Sequence, residues 1–92
     1  MKLSLVISVF NEEENIKPLI ERIDDSLKGL DYEVIFVDDG SKDKTLDQIR
    51  EFGDSHYTTV SFYKNFGQTA AMSAGIEQAT GDLIITLDGD LQ

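Results

Sequence analysis

Leu3-Ser4-Leu5-Val6-Ile7-Ser8-Val9-Phe10 is the stretch that decides the fold. It is rich in β-branched and aromatic residues and nearly apolar at both parities, so neither of its faces reads as a solvent face. A strand of that kind belongs in the middle of a parallel sheet that is covered on both sides. Working outward, Asn11 to Asn15 is polar and acidic, as the start of a helix should be. Ile16, Leu19, Ile20, Ile23, Leu27 and Leu30 then recur at helical spacing. Pro18 suits a first turn, which predicts a helix from about Asn15 to about Gly29.

Three more strands follow with two more helices between them. Glu33 to Asp38 reads as the second strand, closed by Asp39-Gly40-Ser41. Ser41 or Asp43 can cap the next helix, whose apolar face is Leu46, Ile49 and Phe52 and which Gly53 ends. Thr58 to Tyr63 is a more polar third strand, expected near an edge. Gly67 to Ala79 is a helix of small residues, with Ala70, Ala71, Ala74 and Gly75 allowing close approach to the sheet. Gly81 stops it, and Asp82 to Leu87 is the fourth strand.

The order βαβαβαβ implies parallel strands joined by right-handed crossovers. The expected fold class is α/β, a Rossmann-like open parallel sheet with strand order 3-2-1-4, forming one domain over residues 1–92. The order reverses between strands one and four, so a ligand crevice is expected outside their carboxyl ends. Phe10-Asn11-Glu12, Asp38-Asp39-Gly40 and Asp88-Gly89-Asp90 all fall on that edge.

Composition excludes several classes. Eight basic against 18 acidic residues leave a formal charge of -10, which disfavours nucleic-acid backbones and anionic membranes. With no cysteine, thiolate nucleophiles, disulfides and zinc–thiolate sites are ruled out. The longest apolar run is far below the roughly 20 residues of a membrane span. Lys2 before that run imitates a signal peptide, but Glu12-Glu13-Glu14 follow at once and no small-residue cleavage site appears. A soluble, cytoplasmic segment is expected.

The acidic motifs carry the chemistry. Asp88 and Asp90, one residue apart, repel each other unless a cation lies between them, and hard divalent cations take oxygen ligands. Asp38 and Asp39 can accept hydrogen bonds from a base or ribose, or merely organise a turn and a helix cap. Glu12 offers a carboxylate to the crevice, or only a charge favoured by the helix dipole. Lys64 can reach a phosphate, or simply sit in solvent. There is no Walker loop and no Gly-x-Gly-x-x-Gly after strand one, so a nucleotide would have to be held through a metal and carboxylates. A phosphorylation receiver would need its paired acids after strand one, whereas these follow strand two. His56 is expected to be exposed and idle, and Met72 and Phe66 to belong to the core.

Five motifs in order and spacing resemble one family. They are Val6-Ile7-Ser8-Val9-Phe10-Asn11-Glu12-Glu13, Val37-Asp38-Asp39-Gly40-Ser41-Lys42-Asp43-Lys44-Thr45, Lys64-Asn65-Phe66-Gly67, Ala79-Thr80-Gly81-Asp82 and Asp88-Gly89-Asp90-Leu91-Gln92. Together they look like the amino-terminal part of a family 2 glycosyltransferase, the amino-terminal half of its GT-A fold. The branch they most resemble moves sugars onto polyprenyl phosphates, as dolichol-phosphate mannose synthases and bactoprenol glucosyltransferases do. The resemblance implies that Phe10 and Glu12 flank a nucleoside and that Asp39 or Asp38 reads its base. It places Lys64, where the family often has arginine, in the nucleotide-binding set. Ser8 stands where the family often has proline. Asp88 and Asp90 become ligands of Mg2+ or Mn2+, with Gln92 as a further one.

The implied reaction is inverting transfer of a sugar from a UDP- or GDP-linked donor to a polyprenyl phosphate or a saccharide. The resemblance also implies that family members continue beyond the metal motif, often with membrane helices. The 92 residues alone are therefore expected to be inactive, and the longer protein to work at the cytoplasmic face of the membrane. Strand four, bare on one side, is expected to invite self-association. Two alternatives stay open: a metal- and nucleotide-binding module without catalysis, and a purely structural α/β unit.

Overall fold

The computed structural model describes residues 1–88, with Asp88 described through its backbone alone. The elements run β1 (Leu3–Val9), α1 (Glu13–Ser26), β2 (Tyr32–Asp38), α2 (Thr45–Phe52), β3 (Tyr57–Ser61), α3 (Gln68–Gln78) and β4 (Leu83–Asp88). All strand pairs are parallel, and the order is β3-β2-β1-β4, as the motif pattern requires.

Strand parity divides the core into two layers. Leu5, Ile7 and Val9 of β1 and Val34 and Phe36 of β2 pack against Ile16, Leu19, Ile20 and Ile23 of α1 and Ile49 of α2. Val6, Ile35 and Val37 face the other way, onto Ala71 of α3, with Val60, Phe62 and Met72 around them. Each central strand is thus apolar at successive residues because each face meets a helix. Gly75 lets α3 lie close, since a Cβ there would collide with the side chains of Val6 and Val37. The start of the sheet is tied by Glu33, whose Oε2 accepts the Ser4 hydroxyl at 2.5 Å and the Thr80 amide at 2.6 Å.

Element ends differ from the sequence reading for identifiable reasons. Helix α1 starts at Glu13 and closes with the Leu27 amide on the Ile23 carbonyl, short of Gly29. Pro18 lies inside it beyond the first turn, on an exposed side, where the carbonyl it cannot pair with faces water. Strand β3 stops at Ser61 because its partner β2 ends at Asp38, opposite it. The Phe62 amide closes that pair on the Asp38 carbonyl. Ser41 does not cap α2; it is used by the first loop instead. Asp43 does serve the start of α2, accepting the Thr45 amide and hydroxyl.

Among the described residues β4 pairs with β1 only. Leu83, Ile84, Ile85 and Leu87 are each 39–46% exposed. No described helix is long and apolar enough to cross a membrane.

Candidate donor-binding site

The loop after β1 is fastened to the loop after β2. Asn11 adopts a left-handed backbone with φ 51°, a conformation asparagine tolerates better than most residues. Its amide donates to Ser41 Oγ at 2.8 Å, and its Oδ1 accepts the Lys42 amide at 2.9 Å. The Glu12 amide donates to Thr45 Oγ1, and the Glu13 amide to Asp43 Oδ2. Burial alone would raise the Asp43 carboxyl, but hydrogen bonds from the Thr45 hydroxyl and amide and the Glu13 amide outweigh it and hold Asp43 below its usual value. The Glu12 carboxylate is oriented in turn by the Asn15 side chain, which donates to it at 2.6 Å.

Parity also separates Asp38 from Asp39. Asp38 continues the face of Phe36 and lies over the α1–α2 layer, where Oδ1 accepts the Ser41 amide at 3.0 Å. Asp39 continues the face of Val37 and opens toward α3. There its Oδ1 accepts the Phe66 amide at 2.8 Å and its Oδ2 the Gly67 amide at 3.1 Å. The Asn65 side-chain amide donates to the Asp39 carbonyl at 3.2 Å. Gly40 makes this fit: its φ is +78°, and a Cβ there would strike the Lys64–Asn65 backbone.

The result is a hollow of ≈ 270 Å³ lined by Ser8, Phe10, Glu12, Asp39, Asn65, Gly67 and Gln68. It lies at the carboxyl end of β1 beside the start of α3. That helix has no side-chain cap and no acid in its first turn, so its amides lend partial positive charge to the hollow. Three expected residues, Phe10, Glu12 and Asp39, come together here. Asp38 is on the other face of the sheet. Lys64 does not line the hollow; its ammonium stands 5.1 Å from the Phe66 ring centre and 5.7 Å from that of Tyr63.

Asp88, the last residue of β4, is in register with Ser8, which lines the hollow. Asp90 and Gln92 lie outside the described residues, and Asp88 is described through its backbone alone. The chemistry of the expected metal set, two carboxylates and a carboxamide, suits a hard divalent ion. Among the described residues no group of three or more His, Cys, Asp or Glu could hold a metal.

Three minor expectations have clear outcomes. Phe66 is not a core residue: it is 47% exposed, because the loop amides on Asp39 hold its backbone at the rim. Met72 is half-buried against the α3 layer. His56 is exposed as expected, but it is not idle in packing, since its ring stacks on Tyr32 at 4.5 Å. Sequence reasoning missed Asn11 as the fastener and Ser8, Asn65, Gly67 and Gln68 as lining. Ser8 shares its parity with Val6, and Asn65 and Gly67 belong to the Lys64–Gly67 motif; Gln68 carried no signal.

Comparison with known proteins bears on the family and the fold. The chain is 48% identical over 96 residues to an undecaprenyl-phosphate 4-deoxy-4-formamido-L-arabinose transferase of Proteus mirabilis, covering 99% of this chain and 29% of the relative. It is 46% identical to a dodecaprenyl-phosphate galacturonate synthase of Rhizobium johnstonii, covering 100% and 29%. The chain therefore spans about three tenths of the length of these relatives. Among solved structures, glucosyl-3-phosphoglycerate synthase of Mycobacterium tuberculosis, in complex with Mn2+, UDP and glucosyl-3-phosphoglycerate, superposes with a TM-score of 0.82. It is 28% identical, over 99% of this chain and 34% of that one. The model of glycosyl transferase family 2 matches residues 4–92. A parallel 3-2-1-4 sheet with its acidic loops on one edge thus has its counterpart in sequence: this chain belongs to glycosyl transferase family 2.

Proposed function

We propose that this chain binds the nucleoside-diphosphate sugar and the divalent metal for an inverting sugar transfer to a polyprenyl phosphate. The observation that carries the reading is the hollow where Phe10, Glu12 and Asp39 meet, one strand away from the Asp88 end of β4. Phe10, 43% exposed, offers a ring face to a base, Asp39 accepts from its edge, and Glu12 answers the ribose. Lys64, on the loop that Asp39 pins, lies outside the hollow beside the Tyr63 and Phe66 rings, and would have to swing away from them to meet a diphosphate. The names of the two relatives favour a polyprenyl-phosphate acceptor, and the Mn2+ and UDP of the structural neighbour favour a metal-bound nucleotide donor.

In such a transfer the bond from the sugar's anomeric carbon to the diphosphate oxygen breaks, and its electron pair leaves with the nucleotide. The new bond forms from a phosphate oxygen of the acceptor on the opposite face. That oxygen is already anionic at neutral pH, so little is asked of a general base. A divalent ion held by Asp88, Asp90 and Gln92 would supply Lewis-acid stabilisation of the charge growing on the diphosphate. The assigned roles end with the donor, so the 92 residues alone are expected to bind it without transferring its sugar.

Calorimetric titration of UDP and GDP, with and without Mn2+, tests the reading. Nucleotide binding should require Mn2+ and should fall at least about tenfold in Asp88→Asn and Asp90→Asn, since each removes a charged metal ligand. Binding that ignores both the metal and these substitutions would overturn it.

A further inference from the structure

Glu12 borders the donor hollow on a long side chain, and two sets of contacts remove its freedom. The first acts on the backbone. Three successive amides at the start of α1 donate to side chains of residues 41–45: Asn11 to Ser41 Oγ at 2.8 Å, Glu12 to Thr45 Oγ1 at 2.9 Å and Glu13 to Asp43 Oδ2 at 3.3 Å. Thr45 is fully buried, and its hydroxyl donates to Asp43 Oδ1 while accepting the Glu12 amide. The second set acts on the tip. Asn15, in the first turn of α1, donates from Nδ2 to Glu12 Oε2 at 2.6 Å.

These contacts have a use beyond capping α1. Residues 41–45 follow Asp39 after Gly40 alone, so one stretch of chain sets both Asp39 and the backbone of Glu12 against the hollow. Glu12 also borders a second, acidic hollow of ≈ 210 Å³ with Glu13, Glu14 and Asp43, so its carboxylate has two places to go. An unrestrained glutamate must be ordered when a ligand arrives, and ordering it beforehand removes that cost from binding. Asparagine is a poorer helix former than alanine, so α1 by itself would be better served by alanine at position 15. Neither Asn15 nor Thr45 lines the donor hollow. Given that Glu12 answers the ribose, as proposed, we infer that Asn15 and Thr45 are positioning residues, holding its carboxylate ready for the ribose hydroxyls without touching the nucleotide.

The test titrates the 92-residue chain, with Mn2+, with UDP and GDP and with their 2′,3′-dideoxy forms, and reads the ratio of ribo to dideoxy affinity. The parent should prefer the ribonucleotide by about tenfold or more, as hydrogen bonds from hydroxyls to a charged group allow. Asn15→Ala should lower that ratio roughly threefold or more, the size of ordering one long side chain, while its urea midpoint holds or rises. Thr45→Val should lower the ratio likewise and Thr45→Ser should keep it; should the valine variant not fold, Asn15→Ala decides. In a Glu12→Gln background the ratio should already be low, and Asn15→Ala should change it no further. A parent ratio retained in Asn15→Ala, an equal loss for both nucleotide forms, or a further fall in the Glu12→Gln background would overturn the inference and leave donor binding standing. A parent that binds both forms alike would overturn the role of Glu12 as well. Failure of UDP and GDP to bind would overturn the donor site itself.

Discussion

Replacing Asp39 by asparagine should destabilise the chain far more than the same change at Asp38. The two residues are neighbours and almost equally buried, 3% and 2% exposed, so burial does not separate them. Their bonds do. The Asp39 carboxylate accepts two backbone amides, one on each oxygen, whereas that of Asp38 accepts one. Hydrogen bonds to a charged group contribute about 1.5–3 kcal/mol each and neutral ones about 1 kcal/mol. An asparagine in place of Asp39 could keep one bond, in its weaker neutral form, and would turn an NH2 toward the other amide. Because Phe66 is exposed and Gly67 only half-buried, their amides can turn to water and the lower part of that range applies: about 2–4 kcal/mol for Asp39→Asn. Asp38→Asn can keep its single bond through the amide oxygen and should cost about 1 kcal/mol or less. Urea unfolding of both variants measures the difference, and hydrogen exchange locates it. The Phe66 and Gly67 amides should be protected in the parent and exchange rapidly in Asp39→Asn only. Equal destabilisation by the two substitutions, or fast exchange of those amides in the parent, would refute the reasoning.

Three further substitutions probe other parts of the fold. Gly75→Ala should lower stability by about 1–2 kcal/mol in thermal or urea melts, because overpacking against Val6 and Val37 outweighs a gain in helix propensity of about 1 kcal/mol. Asn11→Ala should cost about 2 kcal/mol, from a left-handed backbone without asparagine and the lost bond from the Lys42 amide; Asn11→Gly should recover the backbone part. Glu33 is affected most by burial, which would raise its carboxyl. The Ser4 hydroxyl, the Thr80 amide and hydroxyl and the Lys2 charge outweigh that and hold it below its usual 4.5. Asp43 is likewise held below 3.8. A carboxyl lowered by folding stabilises fully above its usual value and loses that contribution as the pH falls through the lowered one. Urea midpoints should therefore drop below a pH of about 4, and Glu33→Gln should flatten that drop while lowering the neutral plateau.

The strands, the helices and the edge that carries the acids were legible in the chain because they follow from local periodicity. Leu3 to Phe10 is apolar at both parities only if helices cover both faces, and four strand-like runs alternating with helical spacing leave few topologies. Element ends were less legible. The limit of β3 at Ser61 depends on where β2 ends, and Pro18 is tolerated inside α1 because that side of the helix faces water. Phe66 was misread because composition marks a phenylalanine as core, while the bonds that hold its backbone at the rim come from Asp39, 27 residues earlier in the sequence.

By itself, then, the sequence determined an open parallel sheet in the order 3-2-1-4, family motifs in register, and the grouping of Phe10, Glu12 and the two aspartates at one edge. Periodicity and turn chemistry act over a few residues and are written in the chain. Only the tertiary structure decided that Asp39 faces the hollow while Asp38 faces away, and that the amides of Phe66 and Gly67 take up both Asp39 oxygens. Those facts depend on side-chain parity at the end of a paired strand and on a close approach at Gly40, and both exist only once β2, β3 and α3 are packed together.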